Sequence, residues 1–73
     1  MKLGKYKHFK NKYYEVLAIA RDSETLEEMV FYKALWKHPE FGENSLWIRP
    51  KKMFLERIER NGKKMPRFKY VGK

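Results

Sequence analysis

Chemistry at neutral pH starts with the side chains that titrate there, and the 73-residue sequence has two, His8 and His38. No second histidine stands three or four positions from either, cysteine is absent, and the acids gather in the Ser-Glu-Thr region, so the neighbours of a zinc or iron site are missing. His8 reads as a strand residue with a satisfied hydrogen bond and His38 as a loop residue. Ser23, Glu24 and Thr25 carry groups that acid–base chemistry beside His8 would use. They are also the side chains that bond their own backbone in turns, which accounts for all three. With no Gly-x-Ser-x-Gly elbow, phosphate loop or cysteine nucleophile, the expectation is a noncatalytic protein without metal or cofactor.

Binding chemistry is better represented. Arg49 stands between Trp47 and Pro50, and a guanidinium beside an indole can stack on it while clamping a carboxylate or phosphate with two parallel hydrogen bonds. The alternative for Arg49 is an ion pair with Glu24 or Glu56 that pins a turn. Tyr6, Tyr13, Tyr32, Trp36, Phe41 and Trp47 exceed what one small core hides entirely. Exposed rings of this kind line grooves for extended peptides or stack on bases. Trp36 and Phe41, which border the longest loop, are the expected exposed ones, and Trp36, Phe41, Trp47 and Arg49 together form the candidate binding site.

The third chemical feature is charge. Eighteen Lys and Arg oppose nine Asp and Glu, for a net charge of +9, and the excess lies at the ends. Residues 1–12 hold five lysines and no acid, residues 57–73 hold seven basic side chains and Glu59 alone, and residues 13–56 hold six basic against eight acidic. If first and last strands lie side by side, Lys5, Lys7, Arg60, Lys64, Arg67 and Lys69 flank one surface that favours phosphates or acidic partners. The plainer reading is a solvated surface that maintains solubility.

The elements that must position these residues belong to one domain spanning residues 1–73. A chain this short lies near the size at which a single core barely outweighs chain entropy, and without disulfides or thiolate-bound metal the aromatics must supply the core. Each fully buried large apolar side chain contributes roughly 1.5–3 kcal/mol. Residues 4–9 and 13–21 read as strands joined by a tight turn at Asn11, which tolerates the left-handed conformation. Period-2 alternation turns Tyr14, Val16, Ala18 and Ala20 inward, with Tyr13, Glu15, Leu17, Ile19 and Arg21 opposite.

Asp22-Ser23-Glu24-Thr25 is a turn, and residues 29–36 form a strand paired with 13–21 in which Val30, Tyr32, Ala34 and Trp36 share a face. Residues 37–45, broken by Pro39 and Gly42, read as an irregular loop rimming any site. Leu46–Arg49 is a short strand, and Pro50 opens one helical turn over 50–55. Residues 56–60 and 64–71 flank Asn61-Gly62, the strongest hairpin signal in the chain, with Pro66 assigning the last strand to an edge. The spacing predicts a mainly β fold, a single sheet of five or six antiparallel strands bent round a core that includes Val16, Ala18, Val30, Ile48, Phe54 and Ile58.

Four stretches carry a family likeness: Tyr6-Lys7-His8-Phe9-Lys10, Tyr14-Glu15-Val16, Ser23-Glu24-Thr25, and Leu46-Trp47-Ile48-Arg49-Pro50 followed by Met53-Phe54-Leu55-Glu56. In these the sequence resembles the bacterial domain-of-unknown-function family 1653 (DUF1653). The resemblance implies a small SH3-like barrel and brings no activity with it. Asn11 and Leu26 stand where that family often has glycine, and the basic ends are not part of its pattern.

The expected function is therefore an interaction module that binds a peptide or protein through an aromatic groove bordered by residues 36–47 and Arg49. Weak nucleic-acid binding through the basic ends is the rival. The N-terminal residues lack the apolar stretch of a secretory signal and no run approaches a membrane span, so a cytoplasmic protein without a membrane partner is expected.

Overall fold

The computed structural model describes residues 1–72, which leaves Lys73 of the basic C-terminal segment outside the described residues. Nine strands and one helical turn follow in order: β1 (Gly4–His8), β2 (Tyr13–Arg21), β3 (Glu28–Ala34), β4 (Lys37–His38), β5 (Gly42–Glu43), β6 (Leu46–Pro50), α1 (Lys51–Phe54), β7 (Arg57–Arg60), β8 (Lys63–Pro66) and β9 (Phe68–Gly72). Five of them make an antiparallel sheet in the order β6-β3-β2-β1-β9, while β4-β5 and β7-β8 stand as separate hairpins. The mainly β, antiparallel expectation with a helical turn after Pro50 holds. The single sheet does not: residues 56–71 divide into a hairpin and, past a break at Arg67, a strand that returns to pair with β1. Residues 37–45, expected as loop, contain the small β4-β5 hairpin.

The sheet curls strongly without closing into a barrel. In a flat sheet, strands about 4.8 Å apart would put Tyr32 of β3 about 14 Å from Phe68 of β9, and Arg49 of β6 about 19 Å from it. The Tyr32 and Phe68 ring centroids are 5.9 Å apart, and the Arg49 guanidinium carbon lies 5.7 Å from the Phe68 centroid. The two edge strands, β6 and β9, therefore approach each other through side chains and share no ladder.

The core fills this curl with rings. Tyr6, Val16, Val30, Tyr32, Phe54 and Phe68 form the buried cluster, with Tyr14, Trp47 and Tyr70 packed on it. Phe54 reaches the centre because Pro50, at φ −54° and ψ 136°, turns the chain out of β6 into α1, whose last turn closes with Leu55 N–H donating to the Lys51 carbonyl at 3.0 Å. Its ring stacks on Phe68 at 4.1 Å and 5°, while Tyr6 and Tyr32 meet it edge-on at 5.4 and 5.3 Å. Lys51 and Lys52 pair with Glu28 and Glu27 and tie α1 to the start of β3 from outside.

Val16, Val30 and Phe54 are core residues as expected, but Ala18 and Ile48 are exposed and Ile58 is half-buried. A β-bulge explains Ala18: Val16 faces Tyr32 and Ala18 faces Phe31, so Leu17 is an extra residue and the alternation inverts beyond it. Ile19 then turns inward and Ala18 and Ala20 outward. Ile48 is 61% exposed because it alternates with Trp47 and Arg49, which take the inner face of β6. Ile58 belongs to the β7-β8 hairpin, which leaves the main sheet.

Asn11, Leu26, Asn44 and Asn61 all have positive φ. Asn61-Gly62, at φ 54° and 74°, is the tight hairpin turn expected of that pair. Asn11 at φ 65° and Leu26 at φ 63° are likewise positions where a glycine would be conformationally suited. Leu26 is held there because its N–H donates to the Asp22 carbonyl at 2.8 Å and its own carbonyl accepts from Arg21 at 2.9 Å.

Two stability outcomes follow from this packing. Phe54→Ala should cost about 3–5 kcal/mol, as large aromatic truncations do, seen as a collapse of the urea midpoint; an unchanged midpoint would contradict the central place of that ring. Leu26→Gly should raise the thermal midpoint by a few degrees. The left-handed conformation costs a branched residue about 1–2 kcal/mol, and the added unfolded-state freedom of glycine returns only about 0.5–1 of it. Since Leu26 is 63% exposed, little burial is lost, and a fall in the midpoint would show that its side chain contributes packing after all.

Candidate functional site

Strand alternation decides which side chains meet. Tyr6 faces Tyr14 across β1 and β2, Tyr14 faces Ala34, and Tyr32 faces Trp47, so these share the inner face with Arg49. At one end of the curl Trp36, in the link between β3 and β4, and His38, on β4, are added. The result is a cleft of about 210 Å³ lined by Tyr14, Tyr32, Trp36, His38, Trp47 and Arg49.

Three of the four expected binding residues, Trp36, Trp47 and Arg49, line this one cleft. Phe41 stands at its rim, 58% exposed, with its ring 4.8 Å from His38 and 5.5 Å from Trp47. His38, expected as an ordinary loop residue, is the piece that organises the rim. Its Nδ1 accepts from the backbone N–H of Glu40 at 3.0 Å and Phe41 at 3.2 Å, so the turn is built on the imidazole. Accepting at Nδ1 leaves Nε2 to carry the proton of the neutral ring. The same ring lies 5.4 Å from Trp36 and 5.7 Å from Trp47. Pro39 two positions before Phe41 and Gly42 at φ 77° make the turn possible.

Polar groups in the cleft are incompletely matched. The Trp47 Nε1–H donates to Ser45 Oγ at 2.9 Å. The Trp36 Nε1–H is buried and leans on the Tyr14 phenol without reaching hydrogen-bond geometry. Burial raises the Tyr14 phenol above its ordinary value, Trp36 and Arg49 pull it back, and Tyr32 pushes with burial. Among the described residues Arg49 forms no ion pair: Glu56 is taken by Arg67 at 2.7 Å, and Glu24 belongs to the turn that its own N–H closes on Asp22. The turn-pinning role for Arg49 is thereby replaced by its position over Phe68.

The six expected anion-binding residues divide into groups. β1 and β9 do lie side by side, and Lys7 stands directly opposite Lys69 with Lys5 two positions along. Their parity places them on the outer face, opposite to Tyr6, His8 and the cleft. Arg67 is committed to Glu56, and Arg60 donates to the Phe9 carbonyl at 3.3 Å with its guanidinium over the Phe9 ring. Lys64 lies on β8 opposite Glu59. The basic ends thus meet, but do not rim the aromatic cleft. Among the described residues, Lys12, with Nζ 4.4 Å from the Trp36 centroid, is the terminal-segment cation brought to it.

A curled five-stranded antiparallel sheet, open at its edges and presenting an aromatic cleft with one unpaired arginine, defines the class of protein. The chain belongs to the family described as "Protein of unknown function (DUF1653)", whose model matches residues 4–70. It is similar to the crystal structure of a DUF1653 protein from Bordetella bronchiseptica, with 30% identity, 99% of this chain and 88% of that chain covered, and a TM-score of 0.87. No curated protein matches the sequence. No helix among the described residues is long and apolar enough to cross a membrane.

His8 borders the site from the β1 side and gives the fold a pH dependence. Burial, followed by the charges of Arg67, Arg49 and Lys10, lowers its pKa from 6.5. Its ring packs 4.8 Å from Phe68, and its Nδ1 accepts from Lys10 N–H at 3.2 Å. Because the unfolded chain takes up this proton first, the contribution of neutral His8 is complete above about pH 6.5 and declines as pH falls below it. Urea midpoints at pH 7.5 and 5.5 should drop for the natural sequence and drop less for His8→Phe; equal drops would assign the effect to other groups.

Proposed function

We propose that the domain is a noncatalytic interaction module whose cleft takes a peptide segment carrying an aromatic and an acidic side chain. The observation that supports this most is Arg49: a guanidinium without an ion pair among the described residues, held against Phe68 and opening into a cleft walled by Tyr14, Tyr32, Trp36 and Trp47. A carboxylate there gains a charge-assisted, two-bond contact, and a ring beside it gains aromatic walls. Nucleic acid is the weaker reading, because Lys5, Lys7 and Lys69 face away from the aromatic surface that would stack bases.

The test uses pooled heptapeptides, each with one aromatic and one acidic residue, titrated into isotope-labelled protein. The indole N–H resonances of Trp36 and Trp47 should shift. Arg49→Gln should weaken the interaction by about ten- to a hundredfold, in line with roughly 1.5–3 kcal/mol for a hydrogen bond to a charged group. Arg49→Lys keeps the charge and should recover only part, since the planar fork is lost. Thermal melts of both variants separate lost binding from lost folding. Absence of indole shifts, or affinity indifferent to Arg49, would overturn the reading. An oligonucleotide that instead shifts Lys5, Lys7 and Lys69 would move the function to nucleic acid.

A further inference from the structure

We infer that β6 is a strand-addition edge, and that the peptide partner is an extended acidic segment that pairs its backbone with Leu46 and Ile48 while its alternate side chains enter the Arg49 cleft. The inference rests on the peptide reading above and adds how the segment is held.

The parity of hydrogen bonding supplies the argument. Ala34 N–H donates to the Ser45 carbonyl at 2.8 Å, and the register continues with Tyr32 opposite Trp47 and Val30 opposite Arg49. In an antiparallel ladder, hydrogen-bonded and non-bonded pairs alternate, so Ser45, Trp47 and Arg49 direct their backbone groups to β3. Leu46 and Ile48 direct theirs away from it. β6 ends the sheet, and among the described residues no hydrogen bond reaches the Leu46 or Ile48 backbone from that side. An edge of this kind is a template for another strand. Pro50 lacks an N–H and closes the template at one end.

The side chains then specify the occupant. An added antiparallel strand bonds at Ile48, which makes the positions opposite Trp47 and Arg49 non-bonded pairs, where Cα atoms approach to about 4.5 Å and side chains touch. Opposite Arg49 an acid is favoured, opposite Trp47 a ring, and opposite the exposed Ile48 a β-branched residue. In partner order the pattern is acid, β-branched, aromatic. A second copy of this chain fits poorly. Two β6 strands paired about Ile48 would oppose Arg49 to Trp47 and bring together two chains of net charge +9.

The probe is the blocked peptide acetyl-Thr-Thr-Glu-Val-Tyr-Thr-Thr-amide, with a control bearing an N-methyl group on the valine. Pairing predicts that saturating peptide slows amide exchange at Leu46 and Ile48 and leaves Trp47 and Arg49, already bonded to β3, unchanged. The N-methyl control should bind at least about tenfold more weakly. Binding that needs Arg49 but neither protects Leu46 and Ile48 nor senses the methyl group would overturn strand addition and leave the cleft reading standing. No binding of this peptide, while pooled heptapeptides shift the indoles, would also overturn it. Protection of Leu46 and Ile48 in the free protein that rises with protein concentration would assign the edge to self-pairing.

Discussion

The contact on which the remaining structure depends is the Phe54–Phe68 stack. A five-stranded sheet with two free edges has no backbone reason to stay curled, since nothing in its ladders joins β6 to β9. What holds the curl is a plug. Phe54 leaves β6 by way of α1, and Phe68 opens β9, so the stacked pair at 4.1 Å ties the chain following one edge to the other edge itself. Tyr6 and Tyr32, from strands between those edges, close on the plug edge-to-face. A core of so few residues gains its area from rings, because each removes more apolar surface than an aliphatic side chain does.

The same solution creates the site. Aromatic side chains at the centre must extend toward the open end, and their polar tips and faces emerge where the sheet has no further strand to cover them. Tyr14 shows the transition: its ring packs 5.4 Å from Tyr32 and 5.5 Å from Phe68, inside the core, and 6.1 Å from Trp36, in the cleft. Arg49 spans the same boundary. Its guanidinium lies over a core ring while its inner-face position on β6 makes it a cleft wall. Core and site are therefore one aromatic network, and the cleft is preorganised by the packing that folds the domain.

Much of this was legible in the sequence wherever local pattern and physical cause coincide. Asn61-Gly62 forced a hairpin by backbone preference alone, and Pro50 ended a strand and started a helical turn for the reason expected of it. Alternation located Val16 and Val30, while on β6 the expected core residue Ile48 had the parity opposite to Trp47 and Arg49, which take the inner face. It failed at Ala18, because a bulge after Val16 is a two-strand property: the extra residue has meaning only against Tyr32 and Phe31 of β3. Phe68 and Tyr6 escaped the expected core because burial there follows from β9 returning to β1, a pairing between chain ends that no local window contains. His38 escaped for a similar reason. Its role in fixing a turn through Nδ1 depends on the ring meeting its own following N–H groups, and a lone histidine beside Pro39 has no spacing that announces it.

Charge and cleft are separated by the pleat, and that separation bears on how the two have to be weighed. Lys7 and Lys69 oppose each other directly across β1 and β9, an arrangement that costs stability. Glu15, opposite Lys5 on β2, is engaged by Lys33 at 3.4 Å. The outer face thus carries its lysines with little internal neutralisation, in a domain of net charge +9 that has few interactions to spare. Long-range attraction of an acidic partner needs no contact with these lysines: their field acts through solvent over about a Debye length, roughly 8–10 Å at moderate salt. The inner face then supplies what the field lacks, a fixed guanidinium with aromatic walls. For the proposed acidic partner, this division would leave the outer lysines to set the rate and salt dependence of encounter, and Arg49 with its rings to set how long it stays.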